Sequence, residues 1–181
     1  MALWQFQIEF IPRAWLEAVA GDLSPLFGDD GRDMAPAWRA HPPALPVDAL
    51  FTAMLPPAPG RYAGELYWGD EKHSDAHVWH DNGQVESIGV RVDARNYSAR
   101  LLQQIAEIAG QLHCDLLIPE TRTVIAPNVF ALHSALRASK AARYVQGPRK
   151  YPERNTDNRR EDGSAEDGMG DDGPGKGPDV A

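Results

Sequence analysis

The sequence predicts an α+β fold, with a mixed, mainly antiparallel sheet and helices packed on one face. Residues 4–10, WQFQIEF, alternate apolar and polar side chains, as a half-buried strand does. Two strand patterns flank the sequence DNG within residues 74–93, and this turn sequence favours a hairpin. Residues 98–113 carry leucine and isoleucine at helical spacing before another apolar strand. The hairpin predicts antiparallel pairing, and the strand–helix–strand order predicts a crossover.

The remaining elements follow from local signals. Pro12 and Pro46 suit helix starts, because proline is tolerated in the first turn. Ser98 and Asn128 fit the N-cap position of two later helices. Residues 21–46, rich in Gly and Pro, are predicted to form a long loop. Further short strands are predicted at 63–68, 114–118 and 122–126. One shared core is predicted for Trp4, Phe6, Ile8, Ile88, Val90, Leu101, Ile105 and Leu116.

The composition changes near residue 147. In the segment 147–181, 15 of 35 residues are charged, and Gly and Pro recur throughout. Such a segment has too little apolar surface to offset the entropy lost on ordering. We therefore predict a single globular α+β domain over 1–146, followed by a disordered, acidic, Gly/Pro-rich tail over 147–181.

Charge and cysteine content narrow the function classes. The formal net charge of −8 disfavours nucleic acid and anionic membranes as partners, since both attract basic surfaces. Cys114 is the only cysteine, so no intramolecular disulfide forms. The chain lacks a signal-peptide pattern at its start and an apolar run long enough for a membrane span. We expect a cytoplasmic protein.

A histidine-rich stretch raises the question of a metal site. His73, Asp75 and His77 are spaced by two, which puts them on one face of a strand. A three-residue loop at 81–83 would pair His80 with Gln84 and place Arg91 beside this face. A guanidinium there disfavours a divalent cation and favours a salt bridge between Asp75 and Arg91. A small metal-dependent hydrolase that uses the three groups is the alternative hypothesis, and no metal or cofactor is predicted.

Other residues with chemical potential favour structural roles. Cys114 lies between a helix and an apolar strand, where a buried, inert thiol is the common case. The chain has no phosphate-binding Gly-rich loop and no G-x-S-x-G or H-E-x-x-H motif. We predict no catalytic residue, and we predict that the protein is not an enzyme.

The polar face of the hairpin combines an aromatic side chain with charges. Such a composition is typical of protein-binding surfaces. The acidic residues just before the hairpin add negative charge at its rim, which suits a basic partner. The open alternative is that another part of the chain covers Trp79. The predicted partner-binding residues are Asp70, Glu71, Asp75, His77, Trp79 and Arg91.

Four stretches resemble small bacterial immunity-type proteins of polymorphic toxin systems. They are WQFQIEFIP, WGD at 68–70, VESIGVRVDAR and CDLLIPETRTVI, and the resemblance covers about residues 3–146. It implies a cytoplasmic, non-enzymatic protein that binds and neutralises one cognate toxin. An interaction scaffold of another kind is a further alternative.

Overall fold

The computed structural model describes residues 2–29 and 31–147. Apart from Gly147, the predicted tail over 147–181 lies outside the described residues. Within them the chain has the predicted α+β fold, with an antiparallel sheet and helices packed against it. None of the helices in these two ranges is both long and apolar enough to cross a bilayer.

The strands of the structure are β1 Gln5–Pro12, β2 Phe27–Gly28, β3 Gly31–Arg32, β4 Pro57–Ala58, β5 Glu65–Gly69, β6 Asp75–Asp81, β7 Gln84–Asp93, β8 Cys114–Ile118 and β9 Thr123–Ile125. The helices are α1 Arg13–Ala18, α2 Ala35–Ala40, α3 Val47–Thr52, α4 Ala99–Gln111, α5 Val129–Ala138 and α6 Lys140–Gln146. A short 3-10 helix covers Ser24–Leu26. The predicted long loop thus contains a 3-10 helix, the strand pair β2–β3 and helix α2, all too short to show a hydrophobic period.

The large sheet has the strand order β4-β5-β6-β7-β1-β8-β9. Strands β7 and β8 both pair antiparallel with β1, so they run parallel to each other with β1 between them. Helix α4 connects them as the predicted crossover. Ser98 and Asn128 cap α4 and α5 as predicted, each accepting a hydrogen bond from a backbone N–H three residues later.

The hairpin β6–β7 has a different turn from the one predicted. Asn82 and Gly83 both have positive φ, 50° and 79°, as the two central residues of a type I′ turn require. His80 pairs with Val85 and not with Gln84, so the predicted three-residue loop is wrong. The register of the pairing then shifts at a bulge between Trp79 and His80. Along most of β6 the pairing is shifted by two residues from the predicted one. An even shift keeps every side chain on its predicted face.

Strand β1 was predicted to be half-buried, and this prediction is wrong. Phe6, Ile8 and Phe10 lie in the core as expected, but Gln5 and Glu9 on the other face are also buried, at 6% and 1% exposure. The reason is that other parts of the chain lie against its second face: Arg32 contacts Glu9, and Gln5 donates to the carbonyl oxygens of Glu71 and His73. Alternation of polar and apolar residues therefore separates two buried environments here.

The hydrophobic core lies on the Phe6 side of β1. Six of the eight residues predicted to share it are buried within one cluster: Phe6, Ile8, Ile88, Val90, Ile105 and Leu116. Trp4 and Leu101 are only partly buried. Trp4 immediately precedes β1, and the guanidinium of Arg95 covers its ring at 4.3 Å from the centroid.

Candidate functional site

The second surface of the sheet, here called the polar face, gathers ionisable side chains from four adjacent strands. Register explains the arrangement: Tyr67 is opposite His77, His77 is opposite Gly89, and Gly89 is opposite Glu9. The next row brings Asp75 opposite Arg91. The polar face comprises Gln7 and Glu9 of β1, Glu65 and Tyr67 of β5, Asp75, His77 and Trp79 of β6, and Arg91 of β7.

Asp75 and Arg91 form a buried ion pair at the centre of the polar face. The guanidinium donates two hydrogen bonds, Nε to Oδ1 at 2.8 Å and Nη2 to Oδ2 at 2.7 Å. Asp75 is fully buried, and the side chain of Arg91 is 14% exposed. The bidentate geometry satisfies both carboxylate oxygens, which is what makes a charge tolerable in this position. The salt bridge predicted from the sequence is therefore present.

Glu9 is a buried carboxyl with unequal oxygens. Its Oε1 accepts hydrogen bonds from Arg32 of β3 and from Gln7 at 3.0 Å. Its Oε2 has no hydrogen-bond partner among the residues that the structure describes. Burial raises the pKa of Glu9 to about 7, against the lowering effect of the Arg32 charge. Near neutral pH this carboxyl therefore exists in both protonation states.

His77 lies over Gly89, directly beside Glu9. A Cβ at position 89 would lie 2.5 Å from His77 Nε2 and 3.1 Å from Glu9 Oε2, so only glycine leaves room for both side chains. Burial, together with the nearby Arg91 charge, lowers the pKa of His77 to about 4. The imidazole is therefore neutral at pH 7, with one nitrogen that donates and one that accepts.

Glu65 and Tyr67 complete the polar face on β5. Glu65 Oε2 accepts a hydrogen bond of 2.7 Å from the backbone N–H of Arg61. Glu65 Oε1 is 3.6 Å from Arg61 Nη2 in an ion pair, and the Tyr67 hydroxyl interacts with the carboxylate of Asp75. Burial raises the pKa of Tyr67 to about 12, so the phenol stays protonated.

The connection before β5 folds back over the polar face. Arg61 Nη1 donates a hydrogen bond of 2.8 Å to Glu71, and its guanidinium covers the Tyr67 ring at 5.1 Å. Tyr62 packs on Trp79 with 5.6 Å between the ring centroids. The chain's own Tyr62 thus covers part of Trp79, as the alternative hypothesis anticipated, yet Tyr62 is itself 66% exposed.

The acidic connection between β5 and β6 is exposed but well anchored. The side chains of Asp70 and Glu71 are both 57% exposed. Gln5 Nε2 donates to the carbonyl oxygens of Glu71 and His73, at 2.7 and 3.0 Å. The backbone N–H of Lys72 donates to Asp70 and lowers the pKa of that carboxyl. These bonds hold the acidic groups in fixed positions at the rim.

The three groups that the alternative hypothesis uses as metal ligands do not converge. His73 lies before β6, where its Nδ1 is 3.5 Å from Asp70 Oδ2, and Asp75 is occupied by Arg91. No group of three or more His, Cys, Asp or Glu side chains in the described part of the chain is arranged to hold a metal ion. The hypothesis of a hydrolase that uses His73, Asp75 and His77 therefore loses its geometric basis.

Cys114 has the inert environment that the sequence predicts. It is fully buried, and its thiol lies 3.4 Å from the carbonyl oxygen of Leu112. Burial raises the pKa of the thiol to about 12, so the nucleophilic thiolate is not populated at neutral pH.

The predicted partner-binding residues fall into two groups. Asp70 and Glu71 are exposed, and His77 and Trp79 are partly exposed. Asp75 and Arg91 were predicted to lie on the surface, and the structure corrects this prediction. The two side chains form a buried pair, so they support the surface from below.

Sequence reasoning missed several members of the polar face. They are Glu9, Glu65, Tyr67 and the covering residues Arg61 and Tyr62. One signal was present, namely Gly89 inside the otherwise side-chain-rich strand β7, which indicates a close approach by another group.

Comparison of the chain with protein-family models, with curated proteins and with solved structures gave no significant match.

Proposed function

We propose that the chain binds another protein without catalysing a reaction. The partner class that we propose is a bacterial toxin, which the chain neutralises in the cytoplasm, in line with the immunity-type resemblance of its sequence. The binding surface would be the aromatic–acidic patch, defined as Tyr62, Trp79, Asp70 and Glu71.

The exposed stack of Tyr62 on Trp79 carries this proposal. Tyr62 is 66% exposed although its ring packs on another aromatic residue, so a large apolar surface faces solvent in a fixed orientation. Aromatic side chains that are rigid before binding lose little entropy in a complex, and they are enriched among the residues that dominate binding energy.

The charges around the stack favour a basic partner. Asp70 and Glu71 are exposed, and the chain has a net charge of −8. Glu71 already pairs with Arg61, so Asp70 supplies more of the uncompensated negative charge at this rim. Such charges act mainly on the rate of association.

The buried members of the polar face lie below the patch and support it rather than contact the partner. Arg61 links Glu71 to the Tyr67 ring, and the buried Asp75–Arg91 pair fixes β6 against β7. A surface held by such contacts needs little rearrangement to bind, which lowers the cost of association.

The test starts from the genes that flank this chain's gene: a toxin domain found there is co-expressed with the chain, with growth and binding kinetics as readouts, and the absence of a toxin gene counts against the function. We expect the chain to restore growth. We expect Tyr62→Ala with Trp79→Ala to weaken binding by about 2 kcal/mol or more, chiefly through faster dissociation. Asp70→Asn should slow association and flatten its dependence on salt.

Phe130→Ala is the matched control. Phe130 is an exposed aromatic residue on α5, 87% exposed, and it lies outside the patch. Its removal should leave binding unchanged. Failure of the unaltered chain to bind the toxin domain would refute the function, whereas unchanged dissociation in the Tyr62/Trp79 variant would refute only the surface.

A further inference from the structure

Glu9 and His77 face each other across a gap that Gly89 keeps open. The two side chains come from β1 and β6, with only the glycine backbone of β7 between them. A Cβ at position 89 would lie within 3.1 Å of both Glu9 Oε2 and His77 Nε2. Glu9 is 1% exposed, and its Oε2 has no hydrogen-bond partner in the described part of the chain.

Charged and polar side chains surround both Glu9 and His77. Arg32 of β3 and Gln7 bind the other carboxyl oxygen of Glu9. Three guanidinium groups oppose a positive charge on the His77 ring, and Glu65 favours one. The three are Arg91 of β7, Arg32 of β3 and Arg61 above β5. Asp75 is closely paired with Arg91, and the Tyr67 phenol is opposite His77. Glu9 Oε2, which has no hydrogen-bond partner in the described residues, and His77 Nε2 thus lie over the same glycine.

We propose that Glu9 and His77 form a proton-linked pair in which the protonation of Glu9 selects the tautomer of His77. This inference concerns the buried polar face alone and does not depend on the proposed function.

Two states differ by one proton. In the acid state, Glu9 Oε2–H donates toward His77 Nε2, so the imidazole carries its own proton on Nδ1. In the basic state, Glu9 has released its proton to solvent, and the imidazole proton moves from Nδ1 to Nε2, where it donates toward the carboxylate. The imidazole is neutral in both states.

The electrostatics place the transition near neutral pH. Burial raises the pKa of Glu9 to about 7, while burial and Arg91 lower the pKa of His77 to about 4. The carboxyl therefore titrates where the imidazole holds a single proton. The distinguishing property of this arrangement is that His77 changes tautomer without becoming charged.

The change is transmitted to the partly exposed side of the polar face. His77 is partly exposed, whereas Glu9 is fully covered. Any group that contacts Nδ1 of the ring meets a donor in the acid state and an acceptor in the basic state. The pair thus converts a pH change into a change of hydrogen-bonding pattern without placing a charge on the ring.

Nitrogen NMR of the full chain labelled at histidine tests the proposal between pH 5 and 9. We expect the His77 signals to change from mainly Nδ1–H to mainly Nε2–H, with a midpoint near pH 7 and without the imidazolium pattern. Glu9→Gln should abolish this transition, because an amide does not titrate. Carboxyl carbon NMR of Glu9 in the unaltered chain should give the same midpoint.

Three results would overturn the proposal: an imidazolium signal for His77 near pH 7, a tautomer change that persists in Glu9→Gln, or a Glu9 carboxyl that titrates at an ordinary value. Gly89→Ala is a second variant. Its added Cβ should displace His77 and uncouple the two midpoints, and unchanged coupling in that variant would equally count against the pair.

Discussion

The two faces of β1 are both buried, but they are stabilised in different ways. On one face Phe6, Ile8 and Phe10 pack into the hydrophobic core. On the other face Glu9 is just as inaccessible, and a guanidinium and an amide satisfy one of its oxygens. Apolar burial is non-directional and tolerates small changes in position, whereas a buried charge is tolerable only with a correctly placed partner.

The difference predicts which face is more sensitive to a single substitution. Removing a core side chain loses contacts in proportion to the cavity that it leaves. Removing one member of a buried ion pair leaves the other charge desolvated and unpaired, which costs more per atom removed. The polar face should thus lose more stability per substitution, although it contributes less apolar surface.

The largest effect is expected for Asp75→Ala. It would leave Arg91, whose side chain is 14% exposed, without its bidentate partner. We expect a loss of about 3–5 kcal/mol in the free energy of unfolding. Urea denaturation followed by fluorescence measures it.

The control for this substitution is the double variant Asp75→Leu with Arg91→Met, which removes both charges. It should recover most of the lost stability, because replacing a whole buried pair with apolar residues is often nearly neutral. A double variant as unstable as Asp75→Ala would mean that the site depends on its shape rather than on charge balance.

The second effect is expected in the core. Ile105 is fully buried on α4, and Ile105→Ala should cost about 2–5 kcal/mol. The measurement is the same denaturation experiment. A loss below about 1 kcal/mol would mean that α4 does not rely on this side chain for its packing against the sheet.

Much of this comparison was predictable from the sequence. The alternation in β1 separated Phe6 and Ile8 from Glu9, and the helical period of α4 identified Ile105 as buried. The spacing in β6 and β7 predicted the Asp75–Arg91 salt bridge, even with an incorrect turn, because the register error was an even number of residues.

The burial of the polar face was not predictable in the same way. Alternation shows that two faces differ, but not whether the polar one meets water. The covering residues Arg32 and Arg61 come from short segments without periodicity, and their contacts with Glu9 and Glu71 join residues 23 and 10 positions apart in sequence. Only the three-dimensional arrangement shows that Glu9 and His77 meet over Gly89.

The third prediction uses pH to separate the two faces. The pKa of Glu9 is raised to about 7 in the folded chain from an ordinary 4.5, so the folded state binds a proton more tightly than the unfolded state. Binding of this proton stabilises the folded state. The stabilisation is fully present below pH 4.5 and is lost as pH rises through 7. Glu9→Gln removes that dependence.

Glu9→Gln should therefore match the unaltered chain near pH 4.5 and become relatively more stable as pH rises to 7. The slope of the difference in unfolding free energy approaches about 1.4 kcal/mol per pH unit between pH 4.5 and 7. Thermal melts of both proteins from pH 4.5 to 8.5 measure it. A difference that is constant over this range would show that Glu9 titrates normally.

The smallest effect is expected for Leu101→Ala, which sharpens the description of the apolar side. Leu101 and Leu102 are adjacent on α4, but Leu102 is 1% exposed while Leu101 is only partly buried at the edge of the core. The same substitution at the two positions removes the same atoms from the same turn of helix, so intrinsic helix propensity cancels in the comparison. If stabilisation on this side depends on burial alone, Leu102→Ala should cost about 2–5 kcal/mol and Leu101→Ala about 1 kcal/mol. Equal losses of unfolding free energy would instead mean that a specific contact of Leu101 holds the start of α4. The difference in sensitivity to substitution between the apolar and polar faces would then not extend to this helix.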